Sequence, residues 1–299
     1  MADKSYQEIA SVLPLHMRGA VSALPESVQG RVEELRLRLG QGITAVCSDG
    51  ELDLGGPAVQ RRDLEQLVEL ASRTSLHTVL PQICRGYLTV AGGHRIGLTG
   101  TAVMSGGEIT GLRAFSGADL RIARQVRGAA DPVLDRLCKG GNPVNTLILA
   151  PPGLGKTTLL RDLIRKVSEG EGCRSMRVSL ADERGEVAAC FEGRPQLDVG
   201  KRTDVLEGCP KAEGLILLLR AMNPQVLAAD EITAPEDVRA FELAAGCGTV
   251  LFATAHGSCR EDLRRRPLYR QMLESGIFRR LVLVHRVGGV RTYTVEELD

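Results

Sequence analysis

With 299 residues, 43% of them hydrophobic and 25% charged, the chain is long enough for about two domains, each with its own core. Its 38 basic and 37 acidic residues leave a net charge of +1, so no global field draws it to nucleic acid or to an anionic membrane. It has no tryptophan and only 3% aromatic residues, too little for base-stacking platforms or membrane-interface belts, and nucleic acid is not an expected partner.

From the N-terminus, Ile9, Val12 and Leu13, then Met17, Val21 and Leu24, recur at helical spacing, and Pro14 and Pro25 break the run into two short helices. From Val32 the period changes. Leu35, Leu37 and Leu39 alternate with Glu34, Arg36 and Arg38, the pattern of a half-buried strand that turns at Gln41-Gly42 into Ile43 to Cys47. Asp63 to Arg73 reads as an amphipathic helix, and a shorter one is expected from Ser75 to Leu80, stopped by Pro81. Between Gly86 and Ile122, short strands are separated by glycines, with hairpin-type turns at Gly92-Gly93 and Gly106-Gly107. These elements predict a small α+β domain over residues 1–140. A helix from Asp131 to Cys138 and a Gly/Pro turn at Lys139 to Pro143 lead into a second domain, 141–299.

That domain opens on Thr146 to Leu160, TLILAPPGLGKTTLL: an apolar strand, a Pro/Gly-rich turn and the start of a helix. Pro151, Pro152, Gly153, Leu154, Gly155, Lys156, Thr157 and Thr158 make a phosphate-binding loop for a nucleoside triphosphate. Gly153 and Gly155 let backbone N–H groups curl round phosphate oxygens, Lys156 reaches the β and γ phosphates, and the Thr157 hydroxyl serves Mg²⁺. Ala150 stands where the first glycine of G-x-x-x-x-G-K-[ST] is usual, so the backbone there must avoid positive φ.

Arg177 to Leu180 is a short strand ending in the acidic turn Asp182-Glu183-Arg184-Gly185-Glu186, whose carboxylates can serve the metal and water environment or form a solvated turn with Arg184. Gly193 to Cys209 reads as one long functional loop, and Gly214 to Met222 as a helix. Val226 to Ala229 is then a buried strand ending in Asp230-Glu231. Asp230 at its tip can hold the Mg²⁺ shell, and Glu231 beside it can deprotonate the attacking water. A helix from Pro235 to Ala245 and a strand from Thr249 to Thr254 follow. Thr254 and His256 at that strand's end are candidates to sense the γ-phosphate. With one strand between the two motif strands and another after, the order suits P-loop ATPases that use a catalytic Glu and a polar sensor on the next strand. Two strands, Leu281 to His285 and Arg291 to Val295, close the chain around Gly288-Gly289.

The basic run Arg264-Arg265-Arg266, with Arg279-Arg280, reads as a solvated helix face, while Arg121 and Arg124 are placed to serve as charge-stabilising fingers or as surface ion pairs. Eight cysteines form no C-x-x-C pair and no tight spacing with the five histidines, which argues against a zinc site and for reduced thiols in a cytoplasm. The N-terminus has no apolar signal core, and the most apolar segment, Leu215 to Leu219, ends at Arg220, far short of a membrane span.

Seven segments in order, GGHRIGLTG (92–100), LRIARQVRGAA (120–130), APPGLGKTTLLRDL (150–163), ADERGEVA (181–188), DVGKRTDVL (198–206), MNPQVLAADEI (222–232) and TAHG (254–257), resemble the stage III sporulation protein AA family, within the secretion and type IV pilus ATPase superfamily. The resemblance covers nearly all the chain beyond residue 30. It implies a RecA-like P-loop ATPase core with a smaller N-terminal α+β domain, using ATP and Mg²⁺. It further implies a homo-hexameric ring at the cytoplasmic face of the mother-cell membrane, powering or assembling a channel made by other proteins of its operon. It matches Asp182, Glu183 and Glu186 loosely to the acidic box of secretion ATPases, with D-E-R-G-E replacing the usual E-D-P-x-E, and Thr254 and His256 to a T-x-H box. The tetracysteine zinc site of some secretion ATPases is absent from the sequence. Two other functions fit the same motifs: a nucleotide-gated assembly scaffold with incidental hydrolysis, and a DNA-moving motor using the Arg264 to Arg266 patch.

Overall fold

The computed structural model describes residues 3–47, 49–72 and 76–298. By its contacts the chain forms two compact units. One takes the chain up to Arg124 together with Ala189–Gln196, the other takes Gln125–Ala188 with the chain from Leu197 onward. The division falls ahead of residue 140 because the intervening residues are tied to the second unit: the Ala130 N–H donates to Asp162 Oδ2 at 2.9 Å, and Asp131 pairs with Lys166 at 2.6 Å.

The first unit begins with three helices, α1 (Lys4–Ala10), α2 (Leu15–Ser22) and α3 (Glu26–Gln29). The two expected breaks are there, and Pro14 and Pro25 each become the N-cap of the next helix. Strands β1 (Val32–Arg38), β2 (Thr44–Cys47) and β3 (Gly50–Asp53) follow, then α4 (Arg61–Ala71), α5 (Leu76–Cys84), β4 (Tyr87–Thr89), β5 (Arg95–Ser105) and β6 (Glu108–Arg121). The strands make one antiparallel sheet in the order β3-β2-β1-β6-β5-β4. Leu35 and Leu37 of β1 face its core beside Ile9, Leu13 and Met17 of the helices, as the alternation requires, whereas Leu39, expected to continue it, lies past the end of the strand and is exposed. Gly106-Gly107 turns β5 into β6, but those two strands are long rather than short.

Two expectations fail here. Pro81 does not stop α5, which runs on to Cys84 because Ile83 is drawn into the core and a proline removes only one helical hydrogen bond. The ends expected at Arg73 and Ser75 lie outside the described residues. Asp131 to Cys138 is not a helix: only Leu134–Leu137 makes a 3₁₀ turn, because the Asp131 carboxylate is held by Lys166 and Cys138 enters the short strand β7 (Cys138–Lys139), paired with β8 (Asn142–Pro143).

The second unit is a three-layer α/β body. Its elements are β9 (Thr146–Ala150), α6 (Lys156–Glu169), β10 (Val178–Asp182), β11 (Thr203–Glu207), α7 (Lys211–Ala221), β12 (Val226–Ala229), α8 (Pro235–Gly246), β13 (Val250–His256), α9 (Arg260–Arg265), α10 (Pro267–Glu274), β14 (Arg280–Val287) and β15 (Val290–Glu297). Their sheet runs β11-β10-β12-β13-β9-β14-β15, parallel throughout except for β15. Every residue of β9, β10 and β12 is buried, which is why β12 and most of β9 are continuous apolar runs rather than alternations; in β10 the apolar run is interrupted by the buried Ser179 and ends in the buried Asp182. The long loop expected over Gly193 to Cys209 contains β11, so two strands rather than one separate the two motif strands in the chain. As a half-exposed edge strand amid glycines, β11 carries little apolar pattern.

Candidate active site

The site lies where β9, β12 and β13 end, at the carboxyl edge of a parallel sheet where the strand order turns and α/β folds leave a crevice. Between β9 and α6 the chain makes the phosphate-binding turn. Gly153 (φ 76°) and Gly155 (φ 89°) adopt the left-handed conformation that glycine alone reaches without strain, and Gly155 is the N-cap of α6. Ala150 stays in strand conformation within β9. The free N–H groups of α6 therefore open on the turn, where the helix dipole favours an anion. Leu159, Leu160, Leu163, Ile164 and Val167 fix the helix by full burial, each contributing about 1.5–3 kcal/mol.

Lys156 and Thr157 begin α6. The Thr157 hydroxyl donates to Asp230 Oδ2 at 2.6 Å, and the hydroxyl of Thr254 donates to Asp230 Oδ1. Thr254 Oγ1 also accepts the Glu231 N–H at 2.8 Å. Glu231 has φ 55°, a left-handed conformation that costs a non-glycine residue about 1–3 kcal/mol and persists only where its surroundings enforce it. Here the enforcing groups are Thr254 on its N–H and the ammonium of Lys211, 2.6 Å from its carbonyl oxygen. Its carboxylate is thereby aimed at His256, with Oε1 2.9 Å from Nε2, while Oε2 lies 3.3 Å from Arg184. His256 Nε2 is also 3.4 Å from Lys156 Nζ. Lys156, Thr157, Asp230, Glu231, Thr254 and His256 thus form one continuous network.

The acidic turn has a different part. Asp182 is 2% exposed, and its carboxylate accepts the backbone N–H groups of Glu186, Val187 and Ala188, so it folds the turn. Burial pushes its pKa up, against those three amides. Arg161 of α6 fastens the same turn by donating to the carbonyls of Glu186 and Val187. Glu183 pairs with Lys211 at 3.3 Å. Asp182, Glu183, Glu186, Asp230 and Glu231 line one small cleft with Arg184 and Lys211. Lys211 is a residue of this cleft that the sequence reading passes over. Its signal is a lysine directly after Pro210 at the start of a helix whose middle, Leu215 to Leu219, is apolar.

The arginines considered as fingers are engaged within the first unit. Arg124 bonds Asp3, the Val32 carbonyl and the Gln29 carbonyl, and Arg121 pairs with Asp119 at 3.1 Å and Glu34 at 3.5 Å. In the basic run, Arg264 and Arg265 are exposed in the last turn of α9, whereas Arg266 donates to the His256 carbonyl at 3.1 Å. Arg280 pairs with Glu297 at 2.9 Å. Among the described residues no helix is long and apolar enough to cross a membrane.

Strand order, loop and crevice define the class: a P-loop ATPase fold, with a RecA-like core following a smaller α+β unit. The Legionella pneumophila ATPase DotB superposes with a TM-score of 0.60 at 17% identity, covering 96% of this chain and 82% of that one. The pilus retraction motor PilT, determined with bound ADP, superposes with a TM-score of 0.63 at 17% identity, over 92% and 81%.

Within that class the chain belongs to the family described as sporulation stage III, protein AA, which it matches over residues 3–294. It is 38% identical over 286 residues to the stage III sporulation protein AA of Bacillus subtilis (strain 168), covering 95% of this chain and 92% of that protein.

Proposed function

We propose that this chain is a Mg²⁺-dependent ATP hydrolase. The observation that carries the reading is the network of Lys156, Thr157, Asp230, Glu231 and His256 at one end of the sheet, because phosphoryl transfer to water needs a phosphate-binding cation, metal ligands and a water-orienting carboxylate together. The N–H groups of the Pro151 to Thr158 turn and the Lys156 ammonium bind the phosphates of ATP. The Thr157 hydroxyl and the Asp230 carboxylate, 2.6 Å apart, are hard oxygen donors of the kind Mg²⁺ takes beside substrate phosphates, and they are the residues that would hold it. Mg²⁺ bound there supplies charge neutralisation on the phosphates. Glu231 takes the proton of the attacking water, and His256 orients the Glu231 carboxylate next to Lys156.

In the cell, the first, α+β unit serves as an N-terminal domain to the second, catalytic unit. Six copies form a ring at the cytoplasmic face of the mother-cell membrane, docked on channel proteins of the sporulation operon, and hydrolysis powers or assembles that channel. Membership in a sporulation family and a fold shared with DotB and PilT support this reading.

Purified protein is expected to release phosphate from ATP with Mg²⁺ and to stop when the metal is chelated, and Lys156→Ala is expected to lose about 10²-fold or more in turnover. Negligible turnover with membrane partners present, combined with nucleotide-dependent assembly, would instead identify a nucleotide-gated scaffold.

A further inference from the structure

The C-terminal hairpin supplies a cation that the network above does not use. β14 pairs with β9 as far as Leu283 opposite Leu149 and then continues to Val287, while β9 ends at Ala150. At about 3.3 Å per residue, the hairpin therefore stands roughly 13 Å beyond that pairing, level with the phosphate-binding turn. On its returning strand, Arg291 lies against Gly155. A Cβ placed on Gly155 would meet the Arg291 guanidinium at 2.8 Å from Cζ and 3.1 Å from both Nε and Nη1.

Arg291 is exposed, and no ion pair or hydrogen bond ties it to any described residue. Its cross-strand neighbour is a second arginine, Arg286, whose Nε donates to the Gly289 carbonyl. Like charges directly opposite in an antiparallel pair repel, so the hairpin tip carries a cost that a bound anion would offset. An unpaired guanidinium on the glycine that caps α6, with a like-charged residue behind it, suits a polyphosphate, whose oxygens match the planar fork of donors.

We propose that Arg291 closes the phosphate-binding turn from the hairpin of the same chain by pairing with phosphate oxygens of the bound nucleotide. The inference rests on the ATP site proposed above and adds a phosphate-binding residue to it. It also gives a second reason for glycine at 155: besides its positive φ, the position must leave room for the guanidinium.

Calorimetric titration of ADP and of inorganic tripolyphosphate into wild type, Arg291→Ala, Arg291→Lys and Lys156→Ala tests it. Arg291→Ala is expected to weaken both ligands about tenfold or more, and Arg291→Lys, which keeps the charge but not the fork, to recover part of that loss. Arg291→Gln replaces Arg291→Ala if the latter lowers the melting midpoint. Unchanged affinity in Arg291→Ala overturns the proposal. So does a loss for ADP with tripolyphosphate unaffected, which would place the side chain on the nucleobase. If Lys156→Ala binds both ligands like wild type, or wild type binds neither, the ATP site itself is wrong, an outcome distinct from a failure of Arg291 alone.

Discussion

Glu231 is a non-glycine residue at φ 55°, held there by one hydroxyl and one ammonium, and its side-chain direction depends on both. Thr254 is the sharper test of that arrangement because its hydroxyl also reaches Asp230. Thr254→Val keeps the volume but leaves the Glu231 N–H unpaired, at about 1–3 kcal/mol, and frees the carboxylate to drift. Turnover is expected to fall about 10²-fold with little change in KM, and Thr254→Ser to remain near wild type. Steady-state kinetics on the two variants checks this, and equal losses in both would assign Thr254 to packing. At this scale the sequence displayed the loop, Asp230, Glu231 and His256, because each sits at a strand tip next to an apolar run. Lys211 and Arg291 stayed hidden because they reach the site from a helix start and a hairpin that lie far along the chain.

The helix α6 carries the phosphate-binding turn, and its far end is secured by charge. Gly170 ends it in the left-handed conformation, and Glu171 beyond pairs with Arg165 at 2.7 Å and Lys166 at 3.5 Å. The hydrogen bond from Arg165 is the main cause holding the Glu171 carboxyl down at about 2, against an ordinary value of 4.5. A depressed folded-state pKa stabilises fully above the unfolded value, so this contribution is present above pH 4.5 and is lost as the pH falls towards 2. Glu171 is exposed, so solvent screening keeps the effect small. Urea midpoints of wild type and Glu171→Gln are expected to differ slightly at neutral pH and to converge as the pH falls below 4.5. A gap independent of pH would show that the pair contributes nothing through ionisation. The start of the helix was legible from the Pro/Gly-rich turn before it and its apolar spacing. The edge strand β11 was not, since an edge buries only part of each residue, and neither was the continuation of α5 through Pro81, which tertiary burial of Ile83 decides.

For the whole molecule, the order of apolar strands and helices disclosed an α/β unit after an α+β unit, but not the return of Ala189–Gln196 to the first unit. That return rests on contacts distant in sequence: the Gly92 N–H donates to Gln196 Oε1 at 3.0 Å, and a Cβ on Gly93 would stand only 3.0 Å from the Cβ of Ala189 and 3.1 Å from that of Gln196. A hexameric ring predicts that molar mass by light scattering rises to six chains with a non-hydrolysable ATP analogue, whereas a monomer at all nucleotide concentrations would contradict the ring. The proposed role of Glu231 is to activate water at a site assembled from Lys156, Thr157 and Asp230. It is tested most directly by measuring ATP binding and phosphate release in parallel on wild type and Glu231→Gln. The variant is expected to bind ATP with near wild-type affinity and to hydrolyse it about 10²–10⁴-fold more slowly, whereas wild-type turnover in Glu231→Gln would contradict the claim.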